Sequence, residues 1–253
     1  MKEYTYRLTV AQVLLTAVFL QAGAGPIRAK QIGMKTETGF AVPGVEVIVT
    51  RMEQAQRENR AQSCAYTVTR DYKVYGKKKD ATKAHVIAVV NYVPPNLKRY
   101  AIRKSVGSAV GVTMIRKVLD KESQLAKDSS LTYISRENYD FRFSGEEVVS
   151  GHRCYVLELT PKRKNFNLLQ GKIVVNAESY MIQRVEGQPV VSPSWWVRDV
   201  TILLHYGDVN GIWLLTTSEL GVKVRILGRL TMTMVASDAI YKLADGQPPP
   251  AGR

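Results

Sequence analysis

A two-residue alternation of side-chain character recurs along most of this chain. Within residues 151–186, Tyr155, Leu157 and Leu159 lie on one side of a predicted strand, and Pro161 ends it. Two short apolar runs follow in the same stretch, separated by loops. This period is typical of extended strands with one apolar face. The stretch therefore predicts three consecutive antiparallel strands.

The same period predicts a large sheet over the rest of the chain. Turn residues, among them Ser144, Gly145 and Gly221, separate several of the predicted strands. The predicted fold class is mainly β (α+β), with one large curved antiparallel sheet in a single domain. About eleven strands are predicted, at residues 66–74, 85–93, 97–104, 131–134, 139–143, 154–159, 173–175, 181–185, 200–206, 213–220 and 222–234.

Two segments have helical periodicity instead. Between residues 45 and 60, Val45, Ile48, Met52 and Ala55 form one apolar stripe. Between residues 111 and 128 a second stripe consists of Val112, Ile115, Val118, Leu119 and Leu125. The first segment predicts an N-terminal helix that lies on the sheet. The second predicts either a crossover or a flap over the sheet.

The N-terminal segment has the pattern of an export signal. Lys2 and Arg7 precede an apolar run at residues 10–20, and small residues follow at 22–24. Residues 1–24 are therefore interpreted as a cleaved secretory signal, which places the chain outside the cytoplasm. Residues 25–44 are predicted to be irregular, residues 45–244 to form the domain, and residues 245–253 to be a disordered tail.

The charge is strongly basic. The formal net charge is +14 and the pI is near 9.8. Nucleic acid is the usual partner of such a chain but is scarce outside the cytoplasm, so no nucleic-acid partner is expected. Anionic lipid headgroups, a membrane surface or an acidic protein remain as partners. The alternative is that the charge only keeps a β-rich protein soluble.

The two cysteines, Cys64 and Cys154, permit one disulfide. In an oxidising compartment it would close a loop of about ninety residues, with a stabilisation of roughly 4 kcal/mol. The alternative is two small buried apolar side chains. The sequence leaves both open, because it does not show whether the Cα atoms are close enough to be bridged.

The residue types of catalytic and metal sites are sparse. His85, His152 and His205 are the three histidines, and they fall on different predicted strands without metal-ligand spacing. The glycines at 107 and 111 lack the lysine of a phosphate-binding loop. We expect no enzyme activity, no cofactor and no metal, although a triad of residues distant in sequence stays open.

Large apolar and aromatic side chains are abundant by contrast. A sheet of this size, covered by two modest helices, either fills its interior with side chains or encloses an apolar cavity. In the second case lipid-binding residues are expected on the inner faces of the strands and of the second helix. The candidates are Tyr66, Val68, Tyr100, Ile102, Ile115, Val118, Leu119, Tyr139, Phe141, Phe143, Tyr155, Leu157, Leu159, Ile173, Val175, Trp195, Trp196 and Trp213.

The order of elements and several short motifs resemble a known family. The motifs are Asn138-Tyr139-Asp140-Phe141, the strand from Cys154 to Leu159 with Pro161-Lys162, Gly171 to Val175, Ile182 to Gly187, Ser194-Trp195-Trp196, and Gly211 to Leu214. Together they resemble the LolA and LolB fold of bacterial lipoprotein carriers, and more closely the outer-membrane lipoprotein-sorting proteins.

This resemblance implies an open half-barrel whose helices cover an apolar cavity, in a periplasmic protein. It implies non-covalent binding of lipids or lipoprotein acyl chains and a role in outer-membrane lipoprotein sorting. The carriers have an arginine before their Pro-Asn-Leu motif, where Pro94 precedes Pro95-Asn96-Leu97 here. Their handover step is therefore not implied for this chain. Leu215 also replaces a proline of the family. The alternative function is that of an envelope sensor or scaffold that binds a protein partner.

Overall fold

The computed structural model describes residues 42–61, 64–77, 81–127, 132–165, 167–192, 197–210, 212–225 and 227–242. The predicted signal segment, the C-terminal tail and the candidates Trp195 and Trp196 lie outside these residues. Two helices accompany the strands of the described chain. They are α1 (Val45–Ala61) and α2 (Ala109–Leu125), close to the two segments with helical periodicity. None of the helices in these ranges is long and apolar enough to cross a membrane.

One antiparallel sheet of ten strands contains every strand of the described residues, in the order β3-β2-β1-β10-β9-β8-β7-β6-β5-β4. The first and last strands of this order are not paired with each other, so the sheet is an open half-barrel. The strands are β1 (Ala65–Tyr75), β2 (Thr82–Val93), β3 (Leu97–Gly107), β4 (Tyr139–Val149), β5 (His152–Pro161), β6 (Leu169–Asn176), β7 (Ile182–Pro189), β8 (Val197–Val209), β9 (Ile212–Val224) and β10 (Gly228–Lys242).

Both helices cover the inner face of the sheet. Ile48 and Met52 of α1 are fully buried, and α1 packs against β4. Ile115 and Leu119 of α2 are also buried, and α2 packs against β2 and β3. The connection that contains α2 runs from β3 to β4, which are the two edges of the sheet. The second helix is therefore both the crossover and the cover that the sequence left as alternatives.

Strand alternation is confirmed in β1, where Val68, Arg70, Tyr72 and Val74 are buried and their neighbours are not. The residues between them, such as Asp71, face outward and remain part exposed. Because the side chains of a strand alternate between its two faces, the apolar residues at every second position identify the inner face.

The predicted strand at 131–134 is wrong where the structure describes it, because residues 132–134 form no strand. Their carbonyl groups are bound by side chains instead. The Asn138 amide donates to the Tyr133 carbonyl at 2.8 Å, and the Gln56 amide donates to the Ile134 carbonyl at 3.2 Å. The loop thus satisfies its backbone without pairing to the sheet.

Two predicted turns are also wrong, since strands continue through them. At Ser144 and Gly145 the strand β4 makes a bulge, with the register shift between Phe143 and Gly145 and a φ of 147° at Gly145. A bulge inserts an extra residue without ending a strand, and glycine tolerates the backbone angle. Gly221 lies inside β9, paired to Thr201 and Thr231. The turn residues described between β9 and β10 are Arg225 and Leu227 instead.

Candidate ligand cavity

A cavity of about 410 Å³ lies between the two helices and the sheet. Volumes of this size are ordinary for small-molecule sites. The helix α1 contributes Gln56 and Asn59, and α2 contributes Val118, Glu122 and Leu125. A gap therefore remains where the second helix covers the sheet, and the interior is not completely filled by side chains.

Apolar side chains make up much of the cavity wall. They come mainly from β7, β8, β9 and β10, in the middle of the sheet. These residues are Met181, Ile182, Ile202, Leu204, Trp213, Leu214, Leu215, Leu220, Met232 and Met234. Trp213 is held in place because its indole N–H donates to the Ile182 carbonyl at 3.0 Å.

A cluster of three charged side chains, Arg70, Lys98 and Glu122, forms another part of the wall. Arg70 Nη1 lies 2.5 Å from Glu122 Oε2, and Lys98 Nζ lies 2.6 Å from Glu122 Oε1. The exposed fractions of the Arg70 and Glu122 side chains are only 3% and 10%. Each carboxylate oxygen thus accepts from a different cation, and α2 is tied to both β1 and β3.

The pKa values of the cluster follow from burial and mutual charge. Burial by itself would raise the pKa of Glu122, but the charges of Arg70 and Lys98 outweigh it and lower that pKa to about 2. Burial would likewise lower the pKa of Lys98 and of Arg70, and the Glu122 charge raises both above their ordinary values. All three groups are therefore charged at neutral pH.

The cluster carries one net positive charge, because two cations share one carboxylate. Tyr72 contacts the cluster and Tyr206 lines the same cavity, and both are neutral, since burial raises the pKa of each phenol. Arg70 Nη1 donates a long hydrogen bond of 3.4 Å to the Tyr72 hydroxyl. A further carboxylate, Glu219 of β9, also borders the cavity.

Two polar atoms at this end of the cavity are buried without a hydrogen-bond partner. They are Arg70 Nε and the Tyr206 hydroxyl. Both residues line the cavity. Burial raises the pKa of Tyr206, and the charges of Glu122 and Arg70 act on it as well. A buried polar atom left unpaired costs about 1–3 kcal/mol, so each such atom calls for an explanation, such as a bound ligand or water.

The charged cluster was missed as a site by the sequence analysis, although its signal was present. Glu122 follows Val118 by four residues and Leu119 by three, which puts it on the apolar stripe of α2. Lys98 has the same strand parity as Tyr100 and Ile102. Because charged side chains on an apolar face must be paired or bound when they are buried, the three residues could have been predicted to meet.

The structure brings few of the predicted lipid-binding residues to the cavity itself. Tyr66, Val118 and Trp213 line it. Most of the others are buried in the core: Val68, Ile115, Leu119, Tyr139, Tyr155, Leu157, Leu159, Ile173 and Val175. Four are partly buried and pack against that core: Tyr100, Ile102, Phe141 and Phe143. Strand parity placed these residues inward, but it did not show where along the inner face a gap remains.

Cys64 and Cys154 are not joined by a disulfide in the structure. Cys154 is fully buried, as a small apolar side chain would be, whereas Cys64 is only half-buried. Burial raises the pKa of the Cys154 thiol. Of the two alternatives that the sequence left open, the structure therefore contains the one without a disulfide.

Histidines and metal-ligand groups are not assembled into a site in the part of the chain that the structure describes. His85 Nε2 lies 3.0 Å from Asp71 Oδ2. The described residues include no group of three or more His, Cys, Asp or Glu side chains that could hold a metal ion.

No family model matches the chain, and no curated protein matches it in sequence. Similar solved structures include a DUF1329 family protein from Desulfovibrio piger, with 16% identity and a TM-score of 0.43 over 81% of this chain and 95% of that chain. A domain described as an outer membrane lipoprotein-sorting protein, from Vibrio parahaemolyticus, has 15% identity and a TM-score of 0.37 over 77% of this chain and 93% of that chain.

A LolA superfamily protein from Nitrosomonas europaea is also similar, with 12% identity and a TM-score of 0.37 over 80% of this chain and 96% of that chain. These are proteins of the kind that the sequence resembles. At such identities and scores the similarity carries no argument about what this chain binds, which has to come from its own geometry.

Proposed function

We propose that this protein binds the acyl chain of a lipid or lipoprotein non-covalently in the cavity. The observation that carries the proposal is the gap of about 410 Å³ between the helices and an apolar stretch of sheet. Among the sequence candidates, Tyr66, Val118 and Trp213 would contact the ligand. Each acyl methylene that leaves water for an apolar wall contributes about 0.8 kcal/mol. An acyl chain therefore has a sufficient driving force without polar recognition.

The place of action belongs to the same proposal. The signal pattern of residues 1–24 and the basic net charge of +14 suit a protein that works outside the cytoplasm, next to anionic membrane surfaces. A periplasmic carrier for lipids or lipoproteins, with a part in outer-membrane lipoprotein sorting, would combine these features. Binding without covalent chemistry would need neither a cofactor nor a nucleophile.

The direct test is native mass spectrometry and lipid extraction of the protein purified from the envelope of its own host. We expect a bound lipid that a fluorescent fatty acyl probe displaces. Ala126 lines the cavity, so the larger side chain of an Ala126→Trp variant should block binding. The matched control is Ala101→Trp, because Ala101 is exposed on β3.

Repeated absence of both a bound lipid and probe binding would contradict the proposal. So would an Ala126→Trp variant that remains folded and binds the probe as tightly as the Ala101→Trp control. If the purified protein instead carries one stable envelope protein and no lipid, the alternative of a sensor or scaffold is supported in its place.

A further inference from the structure

The charged end of the cavity is not needed to hold an acyl chain. An apolar wall alone would do that, yet Arg70, Lys98 and Glu122 are buried beside the apolar residues. Burial of a net charge is costly unless an opposite charge compensates it. The cluster itself has one cation more than it has carboxylates, and Glu219 is a further carboxylate at the cavity wall.

Unused hydrogen-bond donors lie in the same place. Arg70 donates to Glu122 and Tyr72 through Nη1, which leaves Nε without a partner. The Tyr206 hydroxyl is likewise buried and unpartnered. Both groups can donate to an anion, and neither has to break an existing bond to do so. A ligand anion would satisfy two orphaned donors at once.

We propose that the cavity takes a single-chain amphiphile with an anionic headgroup, a carboxylate or a phosphate, whose oxygens bind Arg70 Nε and the Tyr206 hydroxyl next to Lys98. The inference rests on the proposed function and adds the class of headgroup and its orientation. The headgroup lies at the cluster, and the chain lies along the apolar wall that includes Ile202, Leu204 and Met234.

Calorimetric titration of the full chain with matched twelve-carbon amphiphiles tests the inference. Laurate and dodecyl phosphate carry an anion, dodecanol is neutral, and dodecyltrimethylammonium is a cation. Acetate and inorganic phosphate supply the anion without a chain. We expect laurate and dodecyl phosphate to bind at least tenfold more tightly than dodecanol, since a charge-assisted hydrogen bond is worth about a factor of ten or more. The cationic amphiphile should bind more weakly than dodecanol.

Two variants separate the charge from the hydrogen bond. Lys98→Met removes the excess cation and leaves Arg70 paired with Glu122, and Tyr206→Phe removes an unpartnered hydroxyl without breaking a bond. Each should reduce the preference for laurate over dodecanol severalfold. Lys104→Met, at an exposed position of β3, and Tyr100→Phe, whose hydroxyl bonds Asp120 rather than the cluster, are the matched controls.

The outcomes separate this inference from the proposed function. Equal affinity for laurate and dodecanol would overturn the headgroup site and leave acyl binding intact. Binding of none of the amphiphiles would refute both. Acetate or phosphate binding as tightly as the matching amphiphile would show a site for a free anion and overturn the lipid headgroup as its source. An anion preference that both cavity variants retain would also overturn the assignment of Arg70, Lys98 and Tyr206.

Discussion

The substitution Glu122→Gln tests the cluster through the stability of the protein. The change keeps the size of the side chain but removes the carboxylate that pairs with both Arg70 and Lys98. A shift of the Glu122 pKa from 4.5 to about 2 corresponds to about 3 kcal/mol of stabilisation at neutral pH. Removal of one partner from a buried ion pair costs a similar amount, about 3–5 kcal/mol. We expect a loss of this size in the free energy of unfolding.

Urea unfolding measures the effect. At an m-value of about 1–3 kcal/mol/M, the midpoint of the variant should fall by roughly 1 M or more. The matched control is Asp120→Asn, which removes the same charge from an exposed position of the same helix and should cost at most about 1 kcal/mol. If Glu122→Gln costs no more than this control, the cluster does not stabilise the fold and the reasoning fails.

The pH dependence gives the same prediction a second measurement. The pKa of Glu122 is lowered on folding, so its contribution is complete above pH 4.5 and is lost as the pH falls toward 2. Between pH 6 and pH 3.5 the loss should be about 1 kcal/mol. The difference in stability between the wild type and Glu122→Gln should therefore narrow by that amount. An unchanged difference at pH 3.5 would contradict a depressed pKa.

Three smaller predictions concern other parts of the molecule. Gly111→Ala should lower the free energy of unfolding, measured by urea titration, by about 1–3 kcal/mol, because the new Cβ would lie 2.5 Å from the Ala84 Cβ. The control Gly207→Ala should change stability little, because its new Cβ meets only an ordinary contact at 3.4 Å. Tyr206→Phe should leave stability within about 0.5 kcal/mol or raise it, since the buried hydroxyl has no partner; a large loss would show that a bond exists. Titration with a thiol reagent in the absence of reductant should detect two reduced thiols. Cys64 should react in the native protein and Cys154 only on unfolding, and a single slow phase for both would contradict the difference in burial.

Local periodicity predicted much of the fold because each strand has one face against the core. In β1 the inward parity of Val68, Tyr72 and Val74 follows directly from their spacing. The bulge at Gly145 could not be predicted in this way, because a glycine after a serine is equally typical of a turn and of an extra residue in a strand. The end of β9 was also misplaced, because Gly221 was interpreted as a turn. In the structure it lies inside the strand, where the missing side chain allows the close approach of Thr201.

The cavity was harder to predict than the fold. Its position depends on where α1 and α2 leave the inner face uncovered, which is a property of helix packing and not of any strand. Leu157 and Ile173 have the same inward pattern as Ile202, yet the first two are fully buried in the core and only the last reaches the cavity. Sequence parity therefore identifies the inner face but not the unfilled part of it.

The requirements of the fold do not explain why the cluster is charged. Replacement of a buried ion pair or triad by apolar side chains of similar size is often neutral or stabilising by about 1–4 kcal/mol. The triple variant Arg70→Met, Glu122→Leu, Lys98→Met should accordingly unfold at the urea midpoint of the wild type or above it, whereas Glu122→Gln alone unfolds well below it. It should also bind laurate and dodecanol with equal affinity, because no cation or free guanidinium N–H remains at that end of the cavity. A triple variant that is as unstable as the single one would show that the fold itself needs these charges, and the case for a ligand anion would lose its physical basis.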